Sequence, residues 1–108
     1  RSAAAARSRK TLQGYVALPN YRNYWRQAGY DEEMDAVEAA LANGDADAVT
    51  AAMSDRWLSD ATLYGSAAEV RDGVEEWFDH GATAPIVVPS STSGGQLKAM
   101  EEVFAAFA

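Results

Sequence analysis

Ala84-Pro85-Ile86-Val87-Val88-Pro89 lies between two well-marked helical patterns, and its reading decides the fold. Ile86, Val87 and Val88 are β-branched and show no polar alternation, so the stretch reads as one fully buried strand. No other segment offers itself as its partner. A lone strand cannot satisfy its backbone N–H and C=O groups inside a core. Strands flanked by helices belong to α/β sheets covered on both faces. The expectation is an α/β protein, of which this mainly helical chain with one strand at about 85–89 holds only a part.

The helices around the stretch are clear. Upstream, Ser66 and Glu69 have the spacing of a capping box. Val70, Val74, Trp77 and Phe78 follow at i, i+4, i+7 and i+8, the pattern of a helix with one apolar face. Gly81 suits a left-handed helix end. Downstream, Ser90-Ser91-Thr92-Ser93-Gly94-Gly95 reads as a loop, and a last helix over about 96–107 carries Leu97, Met100, Phe104 and Phe107. The order helix, strand, loop, helix is one step of a repeating β/α fold.

Five further helices precede these. The first spans about 3–18, with Leu12, Tyr15 and Val16 as its stripe, and Pro19 stops it. The second covers about 20–28 and gathers Tyr21, Tyr24 and Trp25, with Gly29 after it. Asp31 reads as the N-cap of the third, whose buried face is Met34, Val37 and Leu41 and whose stop is Gly44. Asp45 caps a fourth with Val49, Ala52 and Met53. Ser54 or Asp55 starts a fifth with Trp57, Leu58 and Ala61. The acidic residues Asp31, Glu32, Glu33, Asp35 and Glu38 read as a capped, solvated face.

Composition sets further bounds. The 108 residues hold no cysteine, which excludes disulfides and thiol chemistry and fits a reducing, cytoplasmic setting. No apolar run is long enough to span a membrane. Arg1 to Arg7 lack the apolar core of a signal peptide, and the missing initiator Met fits an internal start. The net charge is −7, but it is uneven. Arg1, Arg7, Arg9, Lys10, Arg22 and Arg26 face no acidic residue before position 27, and the rest of the chain holds three basic and sixteen acidic residues, a balance of −13. That acidic bulk argues against nucleic-acid binding. The basic start is suited to an acidic surface of its own protein or to an anionic ligand.

Two groups of residues are candidates for chemistry. In α/β folds, ligands bind beyond the carboxyl ends of strands, which here means Ser90, Ser91, Thr92, Ser93, Gly94 and Gly95. Their hydroxyls, glycines and following helix start can donate to a phosphate; a solvated polar loop is the simpler alternative. Tyr15, Tyr21, Tyr24 and Trp25 with Arg22 and Arg26 form the second group, as a flat aromatic pocket, as a site for an acidic tail, or as plain helix packing with the basic residues solvated. His80, the only histidine, sits at a helix end and reads as structural. No metal-ligand or Ser-His-Asp spacing is present.

Two strings are distinctive: Gly14-Tyr15-Val16-Ala17-Leu18-Pro19-Asn20-Tyr21-Arg22-Asn23-Tyr24-Trp25 with Gly29-Tyr30, and Leu63-Tyr64-Gly65-Ser66-Ala67-Ala68-Glu69-Val70-Arg71 with Gly81-Ala82-Thr83-Ala84-Pro85-Ile86-Val87. Together they resemble the C-terminal part of the bacterial luciferase-like monooxygenases, flavin- or deazaflavin-dependent oxidoreductases, most closely the actinobacterial deazaflavin branch. Ala67 and Ala68 depart from the family's usual Pro-Glu. The resemblance implies a (β/α)8 TIM barrel. On that frame 85–89 is strand eight, 65–81 the helix before it, 96–107 the last helix, and 1–64 a helical extension after strand seven. It also implies FMN or an 8-hydroxy-5-deazaflavin coenzyme near residues 90–95 and a small-molecule substrate. Tyr21, Arg22 and Trp25 fall on the substrate side or in packing. The rest of the barrel and a second copy are the implied partners, and the chain alone should be inactive. The alternative is an independent helical module that binds a protein through exposed apolar faces around Trp57, Trp77 and the unpaired strand.

Overall fold

The computed structural model describes all 108 residues, Arg1 to Ala108. They form seven helices: α1 Ser2–Val16, α2 Pro19–Gln27, α3 Asp31–Ala42, α4 Ala46–Ala52, α5 Asp55–Ala61, α6 Ala67–Asp79 and α7 Gln96–Ala106. There is no strand and no sheet. The expected α/β class, and with it a strand-eight role for 85–89 in a TIM barrel, is therefore corrected to an all-helical architecture. The physical reason lies in pairing. The backbone N–H groups of Ile86, Val87 and Val88 donate to no other backbone group, because no second extended segment is present to receive them. Nor is the stretch buried: Ile86 is 93% exposed and Val88 is 89% exposed. β-Branched residues supply a preference for extended backbone, but only a neighbouring strand turns that preference into a sheet.

The helices fall into two compact units, Ala6–Thr62 and Leu63–Ala108 with Arg1–Ala5. In the first, Pro19 opens α2, and Leu18 before it is extended, at φ −95° and ψ 128°. The N-cap of α3 is Tyr30, with no side-chain cap, so Asp31 is its first helical residue rather than its cap. Asp31, Glu32 and Glu33 place negative charge in the first turn, where the helix dipole favours it. Gly44 ends α3 at φ 64°, a conformation that costs other residues more. There its N–H donates to the Leu41 carbonyl and that of Asp45 to the Ala40 carbonyl. The Asp45 side chain accepts from the Ala48 N–H to cap α4, and Ser54 Oγ accepts from the Trp57 N–H to cap α5.

The apolar faces of this unit converge. Val16, Met34, Val37, Ala40, Val49, Met53, Trp57 and Leu58 are buried, and α3 packs against both α2 and α4. Trp57, the largest of them, is fully buried, so it offers no docking face. Trp25 meets it edge to face at 4.9 Å and 83°. Arginines close the helix ends: Arg9 Nε donates to the Met53 carbonyl at 2.8 Å, and its guanidinium pairs with Asp55. Arg22 Nη1 donates to the carbonyl of Val16, the last residue of α1, at 2.8 Å.

The second unit carries the capping box as expected. Ser66 Oγ accepts from the Glu69 N–H at 3.2 Å, and the Ser66 N–H donates to Glu69 Oε2 at 2.7 Å. Gly81 takes the left-handed conformation that ends α6, at φ 101°. Arg1 Nη1 reaches Glu69 Oε1 at 2.5 Å, and its guanidinium lies over the Tyr64 ring. Helix α6 packs on α7, but only Ala5, Val74, Ser91 and Ala99 are buried in this unit. Trp77 and Phe78, which the periodicity assigns to the packed face of α6, remain exposed.

Candidate functional site

In the expected coenzyme loop, residues 90–95, two of the four hydroxyls, those of Ser91 and Ser93, bond each other. Ser91 is buried, and its Oγ accepts from the Ser93 N–H at 3.2 Å and lies 3.1 Å from Ser93 Oγ. Ser93 Oγ donates to Glu102 Oε1 at 3.2 Å. Thr92, Gly94 and Gly95 are exposed, as is Ser90. Gly95 is the N-cap of α7 and offers no side-chain cap, so the first N–H groups of α7 have only backbone direction to give a ligand. The Glu102 carboxylate places a negative charge beside Ser93. A phosphate seated here would have to displace that carboxylate first.

Tyr21, Arg22 and Trp25 do come together. Tyr21 lies 5.8 Å from Trp25 and 5.1 Å, edge on, from Tyr15. Arg22 is not available to a ligand in this arrangement. Its guanidinium holds the end of α1 and pairs with Glu38 at 3.2 Å, with its side chain largely covered. Arg26 pairs with Asp35 at 2.5 Å and Glu38 at 3.1 Å. The Asp35 hydrogen bond leads in raising the Arg26 pKa, with Glu38 adding to it. Hydrogen bonds from Arg22 and then Arg26 hold the Glu38 carboxyl below its ordinary value. Four of the six basic residues at the start of the chain, Arg1, Arg9, Arg22 and Arg26, thus meet acidic side chains of the chain itself.

Sequence reasoning missed Glu33. It is buried rather than solvated. Ser54 Oγ donates to its Oε1 at 2.7 Å, and Arg56 Nη2 reaches both carboxylate oxygens at 3.1 and 3.2 Å. Arg56 also lies over the Tyr30 ring, and the Tyr30 hydroxyl bonds Asp60, the leading cause of its raised pKa. The available signal was spacing: Glu33 stands four residues before buried Val37. Burial pushes the Glu33 carboxyl up, but the bonds from Ser54, its own backbone N–H and Arg56 outweigh it and leave the pKa lowered. A lowered carboxylate pKa stabilises the fold above the ordinary glutamate range, and that contribution is lost as pH falls through the folded value. Glu33→Gln keeps an acceptor for Ser54 and removes the charge. It should cost about 1–2 kcal/mol near neutral pH and flatten the loss of stability below about pH 4. Urea melts of both proteins across that range check this; equal acid sensitivity would refute it.

The remaining surface of note is apolar. On α7, Ala99 faces inward, while Leu97, Met100, Phe104 and Phe107 are exposed, Leu97 at 79% and Phe104 at 71%. These four fall at i, i+3, i+7 and i+10, one continuous stripe of the helix. Trp77, Phe78, Ile86, Val87 and Val88 of the same unit are also exposed. The sixteen residues from Ala82 to Leu97 carry no charge. His80 Nδ1 lies 2.8 Å from the Glu76 carbonyl, a helix-end contact. No group of three or more His, Cys, Asp or Glu side chains is placed to hold a metal ion, and no helix is long and apolar enough to cross a membrane. No protein-family model, curated protein or solved structure matches the chain.

Proposed function

We propose that the chain is a C-terminal portion of a luciferase-like flavin- or deazaflavin-dependent oxidoreductase, inactive until further polypeptide covers its apolar surface. The observation that carries the reading is the outward stripe of α7. A helix whose alanine is buried while two phenylalanines and a leucine face water is built for a neighbour. The strings at 14–30 and 63–87 support the chemistry. In such an enzyme a reduced flavin or deazaflavin passes a hydride, or reacts with oxygen, over a small organic substrate. In the chain alone, Arg22 is committed to Val16 and Glu38, and Ser93 to Glu102, so neither the substrate-side group nor the coenzyme loop is set to receive its ligand.

An independent helical interaction module uses the same stripe and is favoured by one observation: Ala6–Thr62 buries a core of its own. Two titrations separate the readings. FMN and the deazaflavin coenzyme, added to the chain, should show no change in absorbance or fluorescence. Stoichiometric binding would refute the need for further polypeptide. The same titration on the chain extended by the residues encoded before Arg1 should show binding. Failure of the extended, folded protein to bind either coenzyme would refute the oxidoreductase reading.

A further inference from the structure

We propose that Asn43 is a self-modifying residue, converted to aspartate and isoaspartate at a rate set by opening of the turn that ends α3. Asn43 is the C-cap of α3, and it and Gly44 are exposed. Gly44 has no side chain to crowd the approach of its nitrogen to Asn43, and beyond its chain neighbours nothing lies within 4 Å of where a Cβ would stand. The chemistry needs only water. The Gly44 nitrogen attacks Asn43 Cγ. The new N–Cγ bond forms, the Cγ–Nδ2 bond breaks, and the displaced amide nitrogen leaves as ammonia with the Gly44 proton. Water then opens the cyclic imide. Cleavage at Cγ gives aspartate, and cleavage at the main-chain carbonyl gives isoaspartate. One water enters, one ammonia leaves, and nothing is oxidised or reduced.

The turn supplies the gate. The Gly44 N–H donates to the Leu41 carbonyl at 3.1 Å, flanked by Asn43 N–H to Ala39 at 3.2 Å and Asp45 N–H to Ala40 at 3.0 Å. Asn43 sits at φ −89° and ψ −3°. A five-membered imide cannot close at that helical ψ, so attack requires the end of α3 to fray and the Gly44 bond to break. The chain holds two internal controls, Asn20 and Asn23, each within α2 and each followed by tyrosine. Conversion matters to the fold. It puts a carboxylate at the C-terminal end of α3, where the dipole disfavours it, and isoaspartate lengthens the main chain between α3 and α4, which pack together.

The test follows the whole chain in mildly alkaline buffer, folded and in urea. Digestion and mass spectrometry read the amide-to-acid mass gain, and enzymatic isoaspartyl methylation reads the rearranged product. Conversion is expected at Asn43 and not at Asn20 or Asn23. It should run about tenfold slower in the folded chain than in urea. Asn43→Gln should abolish the signal while leaving the melting curve in place. No acid product at Asn43 in urea would overturn the site. Equal rates in the folded and denatured chain would overturn the gate.

Discussion

Trp57→Ala is expected to unfold residues 6–62 at ordinary temperature. Trp57 is fully buried, as are Met34, Met53, Leu58, Val16 and Val37, the other large fully buried side chains of that unit. Trp25 packs on it edge to face. Truncating a buried tryptophan to alanine costs about 3–5 kcal/mol. A compact unit of this length has little more stability than that to lose. Far-UV circular dichroism of the variant should show most of the helical signal gone, or a melting point many degrees lower. A shift of only a few degrees would refute this packing. Trp57→Phe sharpens the test. Trp57 Nε1 is buried without a hydrogen-bond partner, so phenylalanine removes an unsatisfied donor along with some contact area. Its cost should stay below about 1.5 kcal/mol.

The second large effect concerns association rather than folding. Alone in solution, the chain should bury the stripe of Leu97 and Phe104 against another copy, and light scattering should show mass rising with concentration. Leu97→Glu with Phe104→Glu removes two exposed apolar side chains, each worth about 1.5–3 kcal/mol when buried. Association should weaken by about a hundredfold or more, since each 1.4 kcal/mol is a factor of ten. The thermal transition should hardly move, because neither residue is packed in the unit itself. A native chain that stays monomeric at high concentration, or a double variant that associates as before, would refute the expectation.

Local rules were legible in the sequence because they act within a few residues. Pro19, Gly44 and Gly81 stop helices, Asp45 and Ser54 cap them, and Ser66 with Glu69 closes a capping box, all from nearest-neighbour chemistry. What failed depended on partners. Ile86-Val87-Val88 has strand propensity, but a sheet needs a second strand. Periodicity revealed the stripe of α7 and could not say that Ala99 would turn inward and Phe104 outward. Glu33 looked like one more surface acid, since its burial depends on Ser54 and Arg56 more than twenty positions away. At the candidate loop, composition identified the hydroxyls; their pairing with one another and with Glu102 emerges only in three dimensions.

Arg1–Ala5 grouping with Leu63–Ala108 imposes an order on biosynthesis. As the chain leaves the ribosome, Ala6–Thr62 can complete its own core once residue 62 has emerged. Arg1–Ala5, made before that core, must wait. Ala5 has nothing to be buried against within its unit, and Arg1 has no Glu69, until more than sixty further residues have been delivered. The Arg1–Glu69 pair is half-exposed on both sides and contributes little. Residues 1–5 leave the ribosome before the core of residues 6–62 and yet settle after it, held in part by a half-exposed ion pair.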